Sequence, residues 1–178
     1  MTRHSTTWHR GSVPAGLPVK QVYGIISDRV GRILLLQDGS RFNLPGGKPA
    51  RGETFCQTLQ RECMEEAQVT LSRITYLGFV RVSEHHHGRS VPEYAQVRMV
   101  ALLDRILNHA TDPATGRTYA RLMMVPRKAA SALNWGSHGF AQIQAATDVL
   151  IKEYGITSTM DETVLNLEPN PPRGWAAS

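Results

Sequence analysis

The distribution of apolar residues along the chain predicts several short strands. Apolar residues dominate Val19–Ser27 and Arg32–Gln37, and the polar turn between them is typical of a β-hairpin. Three further runs have strand-like composition: Leu71–Ser83, Tyr94–Leu103 and Tyr119–Val125. The polar stretch from Glu84 to Glu93 is predicted to be a variable solvated loop. The alternative is that Arg89 or one of the histidines His85–His87 in this loop contacts a substrate.

Apolar residues at helical spacing predict three helices. Phe140–Tyr154 has apolar positions three or four residues apart and ends before Gly155. Pro126 begins a second helix that extends to Leu133, and a third begins after Gly52. Residues 1–17 lack periodicity and are predicted to be a flexible arm. Residues 18–156 would then form the domain, and residues 157–178 an extended or disordered tail.

Three acidic residues lie close together on the helix that follows Gly52. Glu62, Glu65 and Glu66 have the spacing i, i+3 and i+4, which brings side chains together on a helix surface. No lysine or arginine is expected to face them, because the adjacent Arg61 should point away. On a helical wheel they border the apolar stripe, and partly desolvated carboxylates are costly without a partner. This predicts Mg²⁺, which prefers oxygen ligands; a solvated acidic helix end is the alternative.

Residues 46–69, GGKPARGETFCQTLQRECMEEAQV, resemble the Nudix box of the Nudix hydrolase family, G-x5-E-x7-R-E-U-x-E-E-x-G-U with U aliphatic. The matching residues are Gly47, Glu53, Arg61, Glu62, Glu65, Glu66 and Val69. Cys63 occupies the first aliphatic position, and Gln68 stands where the family has glycine. The resemblance implies the α/β fold of this family: an α/β/α sandwich whose mixed central sheet is flanked by helices. The motif helix would lie on one side and the Phe140–Tyr154 helix on the other.

The same resemblance implies a pyrophosphohydrolase that cleaves a diphosphate bond in a nucleoside diphosphate linked to another moiety. Glu62, Glu65 and Glu66 would hold Mg²⁺ or Mn²⁺ and, with Glu53, form the catalytic set. The general base would be Glu66 or an acid further along the chain. Candidates for that acid, chosen by location only, are Glu84, Glu93, Asp104 and Asp112.

The glycine turn before the helix is the predicted substrate-binding element. Gly46 and Gly47 allow main-chain groups to approach a ligand closely, and Lys48 can meet a phosphate as a point charge. Arg61 completes the substrate-binding set, and the resemblance implies that it pairs with Glu53 to brace the loop against the helix. At Gln68 the helix either adopts a left-handed cap, at a cost of about 1–2 kcal/mol for a non-glycine residue, or ends by another route.

Composition refines this hypothesis only slightly. A net charge of +5 favours acidic partners such as nucleotides or RNA, although the basic residues are scattered. Cys56 and Cys63, about 10 Å apart along a helix, are too distant for a disulfide. The sequence lacks an apolar N-terminal signal and any run of 18 apolar residues, so a cytoplasmic location without membrane contact is the expectation.

Two other functions remain open from the sequence. Gln68, the unidentified downstream acid and the basic charge are compatible with a nucleotide- or RNA-binding module of little turnover. An isoprenoid diphosphate isomerase shares the fold, but both cysteines are expected to face the core and not a substrate. A homodimer is the default assembly.

Overall fold

The chain is built around one mixed β-sheet. The structure, a computed structural model, describes residues 2–86 and 89–168, and the side chains of residues 5–83 and 92–168. Within these ranges the strands are β1 (Thr2–His9), β2 (Val19–Ser27), β3 (Ile33–Asp38), β4 (Arg41–Asn43), β5 (Gly46–Gly47), β6 (Val69–His86), β7 (Arg89–Ile106), β8 (Ala120–Met124) and β9 (Leu165–Asn166). Their order is β1-β6-β7-β2-β3-β8-β9, while β4 pairs with β3 and β5 with β2. Among these pairs, β2 and β7 are parallel and the others antiparallel.

Helices cover both faces of this sheet. Helix α1 (Phe55–Glu62) contributes Leu59 to one apolar core, while α2 (Pro126–Leu133) and α3 (Gly136–Tyr154) contribute Ala130 and Ile143 to the other. The two cores exist because side chains alternate between the faces of a strand. Thus Ile25 and Ile26 of β2 enter different cores. The predicted α/β/α sandwich with a mixed sheet is confirmed.

Helix α1 is fixed at its start and along its buried face. Thr54 caps it by accepting a hydrogen bond from the backbone N–H of Gln57, whose side chain accepts one from the backbone N–H of Thr54 in return. Leu59 packs on Gly24 of β2 so closely that a Cβ there would lie 2.7 Å from Leu59 Cδ1. The glycine therefore brings the helix close to the sheet.

The helix does not continue regularly to its end. Cys63–Ala67 forms a π-helical turn, in which the N–H of Gln68 donates to the carbonyl of Cys63. Gln68 then adopts the left-handed conformation (φ 48°, ψ 50°), the first of the two predicted routes. Its buried side chain donates to the carbonyl of Glu65 and accepts from the N–H of Ala110. These bonds offset the cost of left-handed backbone at a residue with a side chain.

Two segments near the chain ends contain strands that the sequence analysis did not predict. The expected flexible arm contains β1, which pairs with β6 from Thr2↔His86 to His9↔Phe79. The expected extended or disordered tail contains β9 and the fully buried Leu167. The edges of β6 and β8 supply the backbone partners of these segments, and β1 pairs there without any apolar periodicity of its own. Residues 169–178, including Trp175, lie outside the described residues.

The predicted loop from Glu84 to Glu93 is a second difference. Strands β6 and β7 extend through most of it and pair as far as His86↔Arg89. Backbone pairing between two long neighbouring strands thus overrides the polar composition. The side chains of Glu84, His85, His86 and Arg89, and all of His87, lie outside what the structure describes.

No helix among the described residues is long and apolar enough to cross a membrane.

Candidate active site

The glycine turn and helix α1 meet at a cluster of carboxylates. Gly46 pairs with Tyr23 of β2, where its φ of +148° and a hypothetical Cβ only 2.2 Å from the Val22 carbonyl exclude a larger residue. A Cβ on Gly47 would lie 2.5 Å from Oε1 of Glu62. The turn therefore places the backbone directly against the acidic side of the helix.

Arg61 is the centre of an ion-pair network, which corrects the prediction that no cation faces the carboxylates. Its Nε donates to Glu53 Oε1 at 2.7 Å, and one terminal nitrogen reaches Glu62 Oε1 at 2.8 Å and Glu65 Oε2 at 3.2 Å. The other terminal nitrogen contacts the carbonyl of Lys48 at 3.0 Å. The prediction was wrong because Arg61 and Glu65 are themselves an i, i+4 pair, and because the long side chain of Arg61 can fold back onto its neighbour Glu62.

Glu53 braces the loop against the helix, as the resemblance implied. Besides Arg61, it accepts hydrogen bonds from the N–H of Ala50 and the hydroxyl of Thr58. Hydrogen bonds from Arg61 and Ala50 lower the pKa of Glu53 to about 2. In this structure Arg61 contacts carboxylates and the carbonyl of the loop, which supports its role in bracing the loop against the helix. Contact of Arg61 with a substrate stays a prediction. Lys48 is exposed beside this network.

Glu66 has a different environment. Its Oε2 accepts a hydrogen bond of 2.9 Å from the N–H of Gly46, and no lysine, arginine or histidine among the described residues pairs with it. Burial, with smaller contributions from Glu62, Asp112 and Glu65, raises the pKa of Glu66 to about 7. Burial also raises the pKa of Glu62 above its usual value, against the opposing effect of Arg61. The cluster is therefore short of positive charge.

The carboxylates suit a hard cation chemically but are not gathered around one. Glu62, Glu65 and Glu66 supply only oxygen ligands, which Mg²⁺ and Mn²⁺ accept. As the side chains lie, no three His, Cys, Asp or Glu residues in the described part of the chain form a group able to hold a metal ion. Arg61 holds one oxygen of Glu62 and one of Glu65, so a metal ion would compete with the guanidinium for these two carboxylates.

Among the downstream acids whose side chains the structure describes, Asp112 is the one whose charge acts on the cluster, and the side chain of Glu84 is not among them. It raises the pKa of both Glu62 and Glu66, and its side chain is 2% exposed. Its carboxylate also orders its own loop by accepting from the N–H of Ala114 and the hydroxyl of Thr115. Glu93 instead contacts Arg81 and Ser83, and Asp104 contacts Thr70 and Arg105.

The residues that line the space next to the carboxylates were not predicted from the sequence. A cavity of about 210 Å³ is lined by Asn43, Arg117, Tyr119 and Glu66, among others. Asn43 lies three residues before the glycine turn, and this position is the sequence signal that could have identified it. Arg117 and Tyr119 reach the site only because β8 pairs with β3, a contact between residues far apart in sequence.

Comparison with known proteins agrees with the motif and with the fold. The family model for the NUDIX domain matches residues 17–135, which bears out the resemblance of the motif. Among solved structures, the MutT protein from Bacillus halodurans has a TM-score of 0.54 and 18% identity, covering 69% of this chain and 78% of that chain. The pyrophosphohydrolase BsRppH from Bacillus subtilis has a TM-score of 0.50 and 19% identity, covering 60% of this chain and 65% of its own, less than two thirds of its length. For the ORF135 protein of E. coli the values are 0.50 and 19%, with 78% and 95% covered. These likenesses establish the fold; no curated protein matches the chain.

Proposed function

The chain belongs to the NUDIX family, and from this premise we propose that it is a hydrolase of pyrophosphate bonds. The substrate class is a nucleoside diphosphate linked to another moiety, and the cofactor is Mg²⁺ or Mn²⁺. The observation that carries the proposal is the pairing of Glu66, which has no cationic partner in the described part of the chain, with the N–H of Gly46. A partly buried carboxylate in that position is destabilising unless a cation joins it.

Glu62, Glu65 and Glu66 would hold the ion. A divalent cation supplies charge that polarises a phosphoryl oxygen and lowers the pKa of a bound water. The residues of the chain then position the reactants. Glu66, oriented by Gly46, accepts the proton of the attacking water, with Asp112 as the second candidate for this role. Lys48 is exposed next to the turn, where its ammonium can neutralise phosphate charge.

The ion-pair network would keep this geometry in place. Arg61 joins Glu53, Glu62 and the Lys48 carbonyl, so the phosphate-binding loop and the helix move as one unit. Positioning of this kind lowers the barrier because the reacting groups are held in place before the reaction begins.

Two other functions have weaker support. A binding module without turnover rests on Gln68 and the net charge, but Gln68 completes the helix end without disturbing the carboxylates. An isomerase needs a reactive cysteine at the substrate, whereas Cys63 is fully buried and Cys56 is half-buried. The cysteine burial disfavours the isomerase.

The test is hydrolysis of a panel of nucleoside triphosphates, nucleotide sugars, ADP-ribose, dinucleoside polyphosphates and capped RNA, with and without Mg²⁺, followed by chromatographic separation of the nucleotide products. We expect metal-dependent turnover that Glu65→Gln and Glu66→Gln each reduce at least 100-fold. Glu153→Gln, the same change at an exposed position of α3, is the control and should leave the rate unchanged. Turnover close to that of the unmodified protein from both active-site variants would overturn the proposal, as would tight nucleotide binding with no hydrolysis of any substrate.

A further inference from the structure

A second cavity, on the α2/α3 face of the sheet, contains a buried arginine that the proposed hydrolysis does not use. The cavity has a volume of about 350 Å³, and the residues that line it include Tyr23, Gln96, Arg98, Trp135 and Gln142. We refer to it as the Arg98 pocket. Its volume suits one planar ring system with its substituents.

The charge of Arg98 has no carboxylate partner among the described side chains. The side chain is 3% exposed, and no carboxylate in the part of the chain that the structure describes forms an ion pair with it. Its guanidinium carbon lies 5.0 Å from the ring of Tyr23 and 5.3 Å from that of Trp135, within the range of cation–π contact. A buried cation without a carboxylate is costly and calls for acceptors from elsewhere.

The guanidinium is oriented but retains donor capacity. Its Nε donates to Oε1 of Gln142 at 2.7 Å, which fixes the plane of the group. The terminal nitrogens make only long contacts, between 3.3 and 3.4 Å, with Gln96 and the carbonyl of Val97. A guanidinium has five N–H donors. Two acceptors arranged side by side could therefore replace these long contacts of the terminal pair.

The Arg98 pocket is connected with the carboxylate cluster through two residues. Tyr23 lines the pocket and packs on Gly46, where a Cβ would lie 2.9 Å from the tyrosine ring; Gly46 donates to Glu66. Asn43 lines both the pocket and the cavity that contains Glu66. A ligand whose phosphates lie at the carboxylates can thus extend into the Arg98 pocket.

We propose that the Arg98 pocket binds the base of the nucleotide and that Arg98 selects a purine with two adjacent acceptors, O6 and N7, on one edge. Trp135 provides the stacking surface. Guanine and hypoxanthine present both acceptors, whereas adenine places an amino donor at position 6, against the donors of Arg98. The inference rests on the proposed function, because it assumes that the phosphates of the same nucleotide occupy the carboxylate site.

The test separates binding from turnover. Calorimetric titration with GDP, IDP and ADP in metal-free buffer measures base preference without hydrolysis, and Mg²⁺-dependent hydrolysis of GTP, ITP and ATP is measured separately. We expect GDP and IDP to bind about tenfold tighter than ADP, the size of discrimination typical of a bidentate contact. The kcat/KM values should follow the same order.

Variants assign the preference to Arg98. Arg98→Met and Arg98→Lys should both remove the preference; the lysine variant keeps the charge but not the paired donors. Trp135→Leu should weaken all three ligands similarly and leave their ratio unchanged, because stacking is insensitive to the base edge. Arg105→Met, the same change at an exposed position of β7, is the control and should retain the full preference.

The outcomes distinguish the inference from the function. Equal binding of GDP and ADP, an unchanged preference in both folded Arg98 variants, or inorganic phosphate competing equally with GDP in an Arg98-dependent manner would overturn the inference, even if hydrolysis is observed. An Arg98-dependent guanine preference without hydrolysis of any nucleotide would support the pocket and overturn the proposed function. Circular dichroism and thermal unfolding establish that each variant is folded.

Discussion

The carboxylates at the two sides of the candidate site are stabilised in opposite ways. Glu53, Glu62 and Glu65 share the guanidinium of Arg61. Glu66 has a backbone N–H and no ion pair within the described residues. In the first arrangement each carboxylate contacts a cation of the protein itself, although one guanidinium serves three carboxylates. In the second, burial raises the pKa of Glu66 to about 7. The contrast supports the proposal that Arg61 maintains the structure of the site and that Glu66 binds the metal ion.

The largest effect on stability is expected at the glycine that joins Glu66 to the sheet. Gly46→Ala places a methyl group 2.2 Å from the Val22 carbonyl at a φ of +148°. We expect a loss of about 3 kcal/mol in the free energy of unfolding, from strain and overpacking, and loss of activity because the N–H no longer aims at Glu66. Urea unfolding and turnover measure this.

Gly11→Ala is the matched control for that glycine. A Cβ at Gly11 meets no atom within 4 Å, and its φ is not positive. Equal stability of the two alanine variants would contradict the role given to the Gly46 contact.

A smaller loss is expected when Arg61 is replaced. Arg61→Met leaves three carboxylates without their shared partner, and we expect about 1–2 kcal/mol of destabilisation, a modest figure because the network is partly exposed and screened by solvent. Mg²⁺ should restore part of this loss, since a divalent cation can take up the released carboxylates. Thermal unfolding with and without Mg²⁺ measures both effects. No loss of stability in metal-free buffer would show that the network is dispensable.

The smallest effect is expected to have the opposite sign. Glu66→Gln retains an oxygen that can accept from Gly46 but removes a partly buried charge without a cationic partner. In metal-free buffer at pH 8 we expect the variant to be about 1 kcal/mol more stable than the unmodified protein. Mg²⁺ should raise the melting temperature of the unmodified protein more than that of the variant. Destabilisation by this substitution would place Glu66 with the structural carboxylates and remove the contrast.

Much of the fold was predictable because it depends on local periodicity. The limits of β2 were predicted at Val19 and Ser27, and helix α2 was predicted at Pro126–Leu133. Helix α3 begins four residues before the predicted Phe140 but ends at Tyr154, where Gly155 adopts a left-handed cap. Among the strands that were not predicted are β1 and β9, whose pairing partners lie far away in sequence. The ends of β6 and β7 were also missed, although their partners, from Glu84↔Val91 to His86↔Arg89, are close in sequence, because most of these residues are polar. Backbone pairing of this kind leaves little trace in the hydrophobic pattern.

The candidate site divides in the same way. The spacing of Glu62, Glu65 and Glu66 placed them on one side of the helix, and the match to the motif assigned Glu53 to Arg61, as the structure has it. The reach of Arg61 to Glu65 and the π-helical turn before Gln68 were not predicted. Both depend on side-chain and backbone geometry beyond an ideal helix.

The sequence by itself determined the acidic set, which follows from residue spacing within one helix. Through the match of this helix and its turn to the Nudix box, it also determined the family and, as the resemblance implied, the two-sided packing of the sheet. Only the tertiary structure decided which carboxylates are neutralised by Arg61 and which one faces a backbone donor across the turn. It also brought the buried Arg98 of β7 within cation–π distance of Tyr23 of β2 and of Trp135 in the turn between α2 and α3. Burial and charge pairing are properties of the packed chain, because they depend on residues that approach one another only when the sheet has formed.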